Sequence, residues 1–252
     1  MANALYDTYD YPRYWQGRQY EHEAEKIAIK HFLNLIPDSS KTSLIDIGGG
    51  FGRLAKVYAP IFSKCLLVDP SGRLLAQAKK RLKDFPHIQI QKGSVEALPC
   101  QENEFDVALL VRLIHHLKDP YLAFLEAHRV LKPGGFLILE FANKIHFRAC
   151  LRAWLKKDFD YSKSFIPVSQ STQGTSEEKE VLFLNHHPKF IQKELKRAGF
   201  KVIACLSVSN LRYPWLKRIL PLRALLFFEA ICQRLLVFCH FGPSIFLLCQ
   251  KA

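Results

Sequence analysis

The chain has 252 residues, 49% of them apolar, and a formal net charge of +13. That length and apolar content support one large domain, or one domain with a substantial insertion, and exclude a mostly disordered chain. The charge is lopsided: residues 1–141 carry 18 Lys and Arg against 16 acids, while residues 142–252 carry 18 against 7, so whatever the basic surplus attracts is met by the C-terminal part.

The stretch from Met1 to Tyr20 is aromatic and polar and lacks the apolar run of a cleaved signal, so a cytoplasmic protein is expected. Its Tyr11, Tyr14, Trp15 and Arg18 suit either a plain packing helix or a cap over a ligand, with Arg18 pairing to a carboxylate. Residues 1–42 are taken as this N-terminal cap segment with a first helix. From Ser43 onward short aliphatic runs alternate with longer amphipathic stretches. Ser43 to Ile47 reads as a buried strand that runs straight into glycines. Residues 53–60 suit a helix ending before Pro60, and Cys65 to Val68 is a second buried strand. Ser71 is placed to cap the helix that carries Leu74, Leu75, Ala78 and Leu82 at helical spacing.

His87 to Gln91 and Phe105 to Val111 are the third and fourth strands. Tyr121 to Leu131 is a helix stopped by Pro133-Gly134-Gly135, and Phe136 to Phe141 is the fifth strand. Pro188 to Ala198 is helical, Phe200 to Val208 is a strand, and Ser244 to Cys249 is the last. The expected fold is therefore α/β: a Rossmann-like, doubly wound, seven-stranded, mostly parallel sheet, the last strand antiparallel, with helical insertions in the C-terminal half. The domain occupies 43–252. Its insertions, 143–187 and 210–240, fall late in the sheet, where open α/β folds bind ligands. The first holds a basic helical stretch and a polar loop from Ser169 to Glu180.

Asp46-Ile47-Gly48-Gly49-Gly50-Phe51-Gly52 follows a strand and opens a helix, and Gly48, Gly50 and Gly52 let the backbone turn tightly against a ligand. Asp69 ends the next strand, where a carboxylate can accept both hydroxyls of a ribose. A dinucleotide site would want Gly or Ala at position 53, which is Arg53, and the acid at Asp46 would repel a pyrophosphate. Asp46 suits an ammonium instead. A ligand with an amino acid at one end and a ribose at the other is S-adenosylmethionine. The bland alternative is that Asp46 and Asp69 each cap the following turn.

Four blocks resemble the class I S-adenosylmethionine-dependent methyltransferases in order and spacing: Leu44 to Gly52, Leu67 to Ser71, Gly93 to Pro99 with Phe105 to Val107, and Arg129 to Gly135. Together they cover residues 43–141. The resemblance implies that Gly48, Gly50 and Gly52 line the methionine and ribose, with Asp46 near the amino group and Asp69 on the ribose hydroxyls. It further implies that Ser94 and Val95 flank adenine, while Val111 and Arg112 lie near the reactive methyl. Gly49 stands where Cys is commoner, and Ser94 where Asp is usual. S-adenosylmethionine would be the cofactor and S-adenosylhomocysteine its product.

Methyl transfer, by in-line displacement at the sulfonium methyl, needs an aligned acceptor, excluded water and sometimes a base. His116 and His187 are the candidate bases, with His115 and His186 beside them. The competing reading makes the first pair pocket wall and the second a helix cap. Seven cysteines show no CxxC pair and no metal-ligand spacing, so reduced thiols and no metal site are expected. From Pro221 to His240, the polar Glu229, Gln233 and His240 share a helical face with Arg223 and Arg234 at its edge, and the rest is apolar. That composition suits a lid over a greasy pocket, a helix lying on a membrane surface, or a core-packing helix. The expected acceptor is a small molecule or a lipid-like one, with peripheral membrane contact through 211–240. The Val111-Arg112-Leu113 strand end argues against a nucleic-acid substrate, which stays open as an alternative beside an inactive cofactor-binding member of the fold.

Overall fold

A computed structural model of the chain describes residues 11–169 and 183–252. Seven strands form its main sheet: β1 Ser43–Ile47, β2 Lys64–Asp69, β3 Ile88–Lys92, β4 Phe105–Leu110, β5 Leu131–Ala142, β6 Phe200–Val208 and β7 Ser244–Lys251. They lie in the order β3-β2-β1-β4-β5-β7-β6. β7 runs antiparallel to both neighbours, and the pairings among β1 to β5 are parallel. The doubly wound sheet and its antiparallel last strand agree with the sequence reading.

The helices are α1 Tyr11–Tyr14, α2 Gln19–Leu35, α3 Ala55–Tyr58, α4 Gly72–Arg81, α5 Tyr121–Val130, α6 Phe147–Leu155, α7 Pro188–Arg197, α8 Pro214–Ile219 and α9 Leu222–Leu235. Because successive strand residues point to opposite faces, neighbours part company. Leu44, Leu67, Val107 and Leu109 meet α2 (Ala28, Phe32) on one side. Ile45, Leu66, Ala108 and Leu110 meet α5 (Phe124, Ala127) and α7 (Ile191, Leu195) on the other. Both faces are covered, which is why the central strands are apolar without alternation. α2 thus belongs to one covering layer of the sheet.

Ser71 Oγ accepts the Leu74 N–H at 3.2 Å, as a capping serine should. α3 is shorter than expected. Residues 51–54 are turns, with Gly52 N–H bonded to Gly49 and Ala55 N–H to Gly52. β5 starts early, at Leu131, because Leu131 pairs with Phe105 before a register shift carries Phe136 onto Val107. Of the polar loop from Ser169 to Glu180, residues 170–180 lie outside the described residues. Among the described residues, no helix is long and apolar enough to cross a membrane.

Candidate active site

Strand order reverses between β1 and β4, and the loops leaving the carboxyl ends of these strands make a crevice there. Gly48 and Gly49 both donate N–H groups to the Val68 carbonyl, at 2.8 and 3.2 Å, which folds the loop after β1 across β2. Gly48, Gly50 and Gly52 have φ of 73°, 55° and 73°, the left-handed region that glycine enters without strain. Gly49 matters for another reason. A Cβ there would stand 2.6 Å from Leu67 Cγ and 2.9 Å from the Asp46 carboxyl carbon, so the commoner Cys would not fit this loop without rearrangement.

Two buried carboxylates flank the loop. Asp46 Oδ2 accepts the Tyr58 hydroxyl at 3.0 Å, and burial pushes its carboxyl up to about 7. Asp69 accepts the Gly50 N–H on one oxygen and the Ser71 N–H on the other, each at 2.9 Å. The turn-capping geometry is thus real at Asp69, and its Oδ2 faces the glycine loop. Past β3, Ser94 is half-buried with its Oγ accepting the Glu96 N–H, and Val95 is buried against the strands.

Past β4 comes a polar cluster of wider reach. Arg112 takes the left-handed φ of 62°, held by its N–H to Glu140 Oε2 at 2.9 Å. Its guanidinium bonds Glu25 Oε1 at 2.7 Å, while Arg53 bonds Glu25 Oε2 at 2.6 Å. Glu25 has no exposed surface, and despite burial the two guanidiniums hold its carboxyl below the usual range. Trp15 lies against Arg53, 3.6 Å from its ring centroid, and Tyr11 packs edge-on against both Trp15 and Phe51. One carboxylate between two guanidiniums leaves the cluster with a surplus positive charge.

Two cavities open here. One of about 20 Å³ lies between Asp46, Gly48, Gly49 and Val111 on one side and Tyr11 and Arg53 on the other. The second, about 230 Å³, is walled by Tyr14, Arg18, Glu140, His146, Asn185 and Arg212 among others. Arg112 lines both. Arg18 stacks over the Tyr14 ring at 4.0 Å, on the wall of the larger cavity and not of the smaller.

The histidines divide. His115 is buried, its ring 3.9 Å from that of His116 and 4.1 Å from that of Phe183, and burial holds it well below the usual imidazole range. Phe183 lines the larger cavity; His115 and His116 stand behind it. His187 caps α7: its Nδ1 accepts the Lys189 N–H and its Nε2–H donates to the Ser162 carbonyl. Both ring nitrogens are engaged, one in the cap and one on Ser162, and His187 lines neither cavity. His146, not singled out from the sequence, does reach the larger cavity, and burial with Arg212 beside it lowers it to about 4.

Glu25, Arg53, Glu140 and Arg212 were also missed. Glu25 carried a legible signal, a charge inside the stripe formed by Ala24, Ala28 and Phe32 on α2. Glu140, at the end of an apolar strand, carried another.

Residues 45–139 match the family described as methyltransferase domain. The chain is 33% identical over 170 residues to a ubiquinone/menaquinone biosynthesis C-methyltransferase of Coxiella burnetii, covering 63% of this chain and 66% of that one. The corresponding protein of Rubrivivax gelatinosus is 32% identical over 115 residues, 45% of each chain. The matches span 29–66% of the curated relatives' own lengths. Among solved structures, a putative S-adenosylmethionine-dependent methyltransferase from Listeria monocytogenes superposes with a TM-score of 0.63 at 16% identity, covering 91% of this chain and 98% of that one. The matched domain and the relatives support a class I S-adenosylmethionine-dependent methyltransferase, and the fold is the one shared with the Listeria structure.

Proposed function

We propose that the chain transfers a methyl group from S-adenosylmethionine to a small-molecule or lipid-like acceptor seated in the 230 Å³ cavity. One observation carries the reading: Arg112 is a wall common to the hollow beside the glycine loop and to the larger cavity. A donor over the loop and an acceptor in the cavity would therefore meet at that residue.

The donor set fits the cofactor's chemistry. Asp46 offers a buried carboxylate to an ammonium, Asp69 offers two oxygens to a ribose diol, and the surplus charge of the Arg53–Glu25–Arg112 cluster suits a carboxylate. The space does not yet fit. Tyr11, edge-on to Phe51 and Trp15, walls the hollow, which leaves only about 20 Å³, so the segment from Tyr11 to Trp15 has to swing aside for the ligand to enter and can then close over it. When bound, S-adenosylmethionine supplies a methyl group made electrophilic by its sulfonium.

The chain's own residues do the rest. The aromatic segment excludes water. Glu140, buried and raised by that burial, is the carboxylate placed to hold a proton of the acceptor, and His146 is neutral at pH 7 and can accept a hydrogen bond. Arg18 and Arg212 give the far wall positive charge, which suits an acceptor with an anionic or strongly polar head. The relatives named for quinone biosynthesis make ring-bearing, lipid-tailed acceptors the first to try.

Calorimetric titration with S-adenosylhomocysteine, with NADH and NADPH as comparators, tests the cofactor half. Binding of the first alone is expected, and Asp69→Ala should weaken it by about 1–3 kcal/mol in a protein whose melting shows it folded. Unchanged affinity would remove Asp69 from the site. Transfer of labelled methyl to a panel of quinones, phenols and lipids tests the acceptor half, and binding without any turnover would support the inactive alternative.

A further inference from the structure

Two helical segments of the C-terminal half are amphipathic the wrong way round for a free surface. On α9 the inward stripe is Leu225, Glu229 and Gln233, all buried. Glu229 accepts N–H groups of Ser209, Asn210 and Leu211 and the hydroxyl of Tyr20, and Gln233 donates to the Ala24 carbonyl. With the polar stripe spent on the protein, the outward stripe is apolar: Phe227, Ile231 and Leu235, continued by Phe238, which is 89% exposed. Trp215 and Ile219 on α8 are exposed as well. On α6 the residues Phe147, Leu151, Trp154 and Leu155 recur at one helical face and are all exposed.

The two apolar faces adjoin. Phe147 at the start of α6 stacks on Phe241 at 5.0 Å, and Arg148 lies over the ring of Tyr213 just before α8. A hollow of about 10 Å³ at this junction shares His146, Ser209, Arg212 and Pro243 with the larger cavity of the site. The rim of the acceptor cavity is thus the seam between the two apolar faces.

Charge selects the occupant. Segments 147–157 and 211–240 contain nine Lys and Arg and one acid, Glu229, which is buried. Lys217 is paired with Glu21, but among the described residues Arg152, Lys156, Lys157, Arg218 and Arg223 have no acidic partner within ion-pair distance. Asp158 and Asp160 follow α6; Asp160 pairs with Lys163 and Asp158 accepts the Tyr161 N–H. Exposed aromatic and aliphatic side chains edged by unpaired bases match an anionic bilayer, which takes the former into its headgroup region and attracts the latter. We infer that the chain docks on anionic membrane surfaces through α6, α8, α9 and the turn ending at Phe238, holding the cavity rim against the lipid. The inference stands apart from methyl transfer, because docking needs neither cofactor nor acceptor.

Sedimentation with vesicles of phosphatidylcholine alone, and of phosphatidylcholine and phosphatidylglycerol in equal parts, tests it. Binding at least about tenfold tighter to the anionic vesicles, weakened by salt, is expected. In a Trp15→Phe background the emission of Trp154 and Trp215 should shift to the blue on binding. Phe227→Ser/Ile231→Ser/Phe238→Ser should abolish that shift and most of the binding, while Arg218→Ser/Arg223→Ser should remove the preference for anionic lipid. S-adenosylhomocysteine affinity and melting temperature unchanged from the Trp15→Phe parent show that the face variants are folded. Absence of vesicle binding by the intact chain overturns the proposal, as does binding that both variants retain. A concentration-dependent dimer that the triple variant abolishes, without vesicle binding, would assign the face to a second copy instead.

Discussion

Asp46 keeps a proton that the unfolded chain would give up, since burial raises its carboxyl from 3.8 to about 7. A folded-state value above the unfolded one means that its stabilising contribution is full below about pH 4 and is lost as pH rises toward 7. Asp46→Asn should remove that slope. Urea unfolding at pH 4 and pH 7 should show the parent losing up to about 4 kcal/mol more than the variant over this range. Glu25 works in the opposite sense. It compensates two guanidiniums with no exposed surface of its own, so Glu25→Ala strands both and should cost about 3–5 kcal/mol in the same assay. A cost below about 1 kcal/mol would mean that water reaches the cluster. Such residues were the least legible in the sequence. Asp46 and Asp69 declared themselves by standing at strand ends beside glycines. The partnership of Glu25 with Arg112 joins residues 87 positions apart and depends on α2 crossing the end of β4.

At the scale of elements, the helix starts at Tyr121 and Pro188 were legible from the punctuation around them. Phe200–Val208 was placed as found, because an apolar run between Gly199 and a polar turn has few other homes. The helix after the glycine loop was drawn too long because its first turn is spent reversing the chain. α9 was the hardest. Its polar stripe was visible, but nothing local said that Tyr20 and residues 209–211, from distant parts of the chain, would turn that stripe inward. Glu229 ties these pieces together, so Glu229→Leu, which strands the Ser209 and Asn210 N–H groups and the Tyr20 hydroxyl proton, should destabilise by about 2–5 kcal/mol. Denaturant unfolding checks this, and a neutral outcome would mean that α9 is held by its apolar contacts alone.

Across the whole molecule the three tryptophans separate the two ends of the site. Trp15 sits on the arginine pair beside the glycine loop, and Trp154 and Trp215 stand on the outer face. A Trp154→Phe/Trp215→Phe protein should therefore report S-adenosylhomocysteine through Trp15 and stay silent toward vesicles. A response to vesicles would show that docking reaches the aromatic segment. The lopsided charge visible in the sequence finds its place here, since the C-terminal surplus includes the bases around α6, α8 and α9.

Arg112 forms part of two cavities with one guanidinium and one strained backbone conformation. Any ligand that moves it on one side changes the wall presented to the other, so the two occupants are thermodynamically linked. By reciprocity, the factor by which a bound nucleoside alters affinity for the acceptor is the factor by which the acceptor alters affinity for the nucleoside. An acceptor that tightens the hold on S-adenosylmethionine but not on S-adenosylhomocysteine would drive turnover forward, and one that tightens both would act as its own inhibitor by slowing product release.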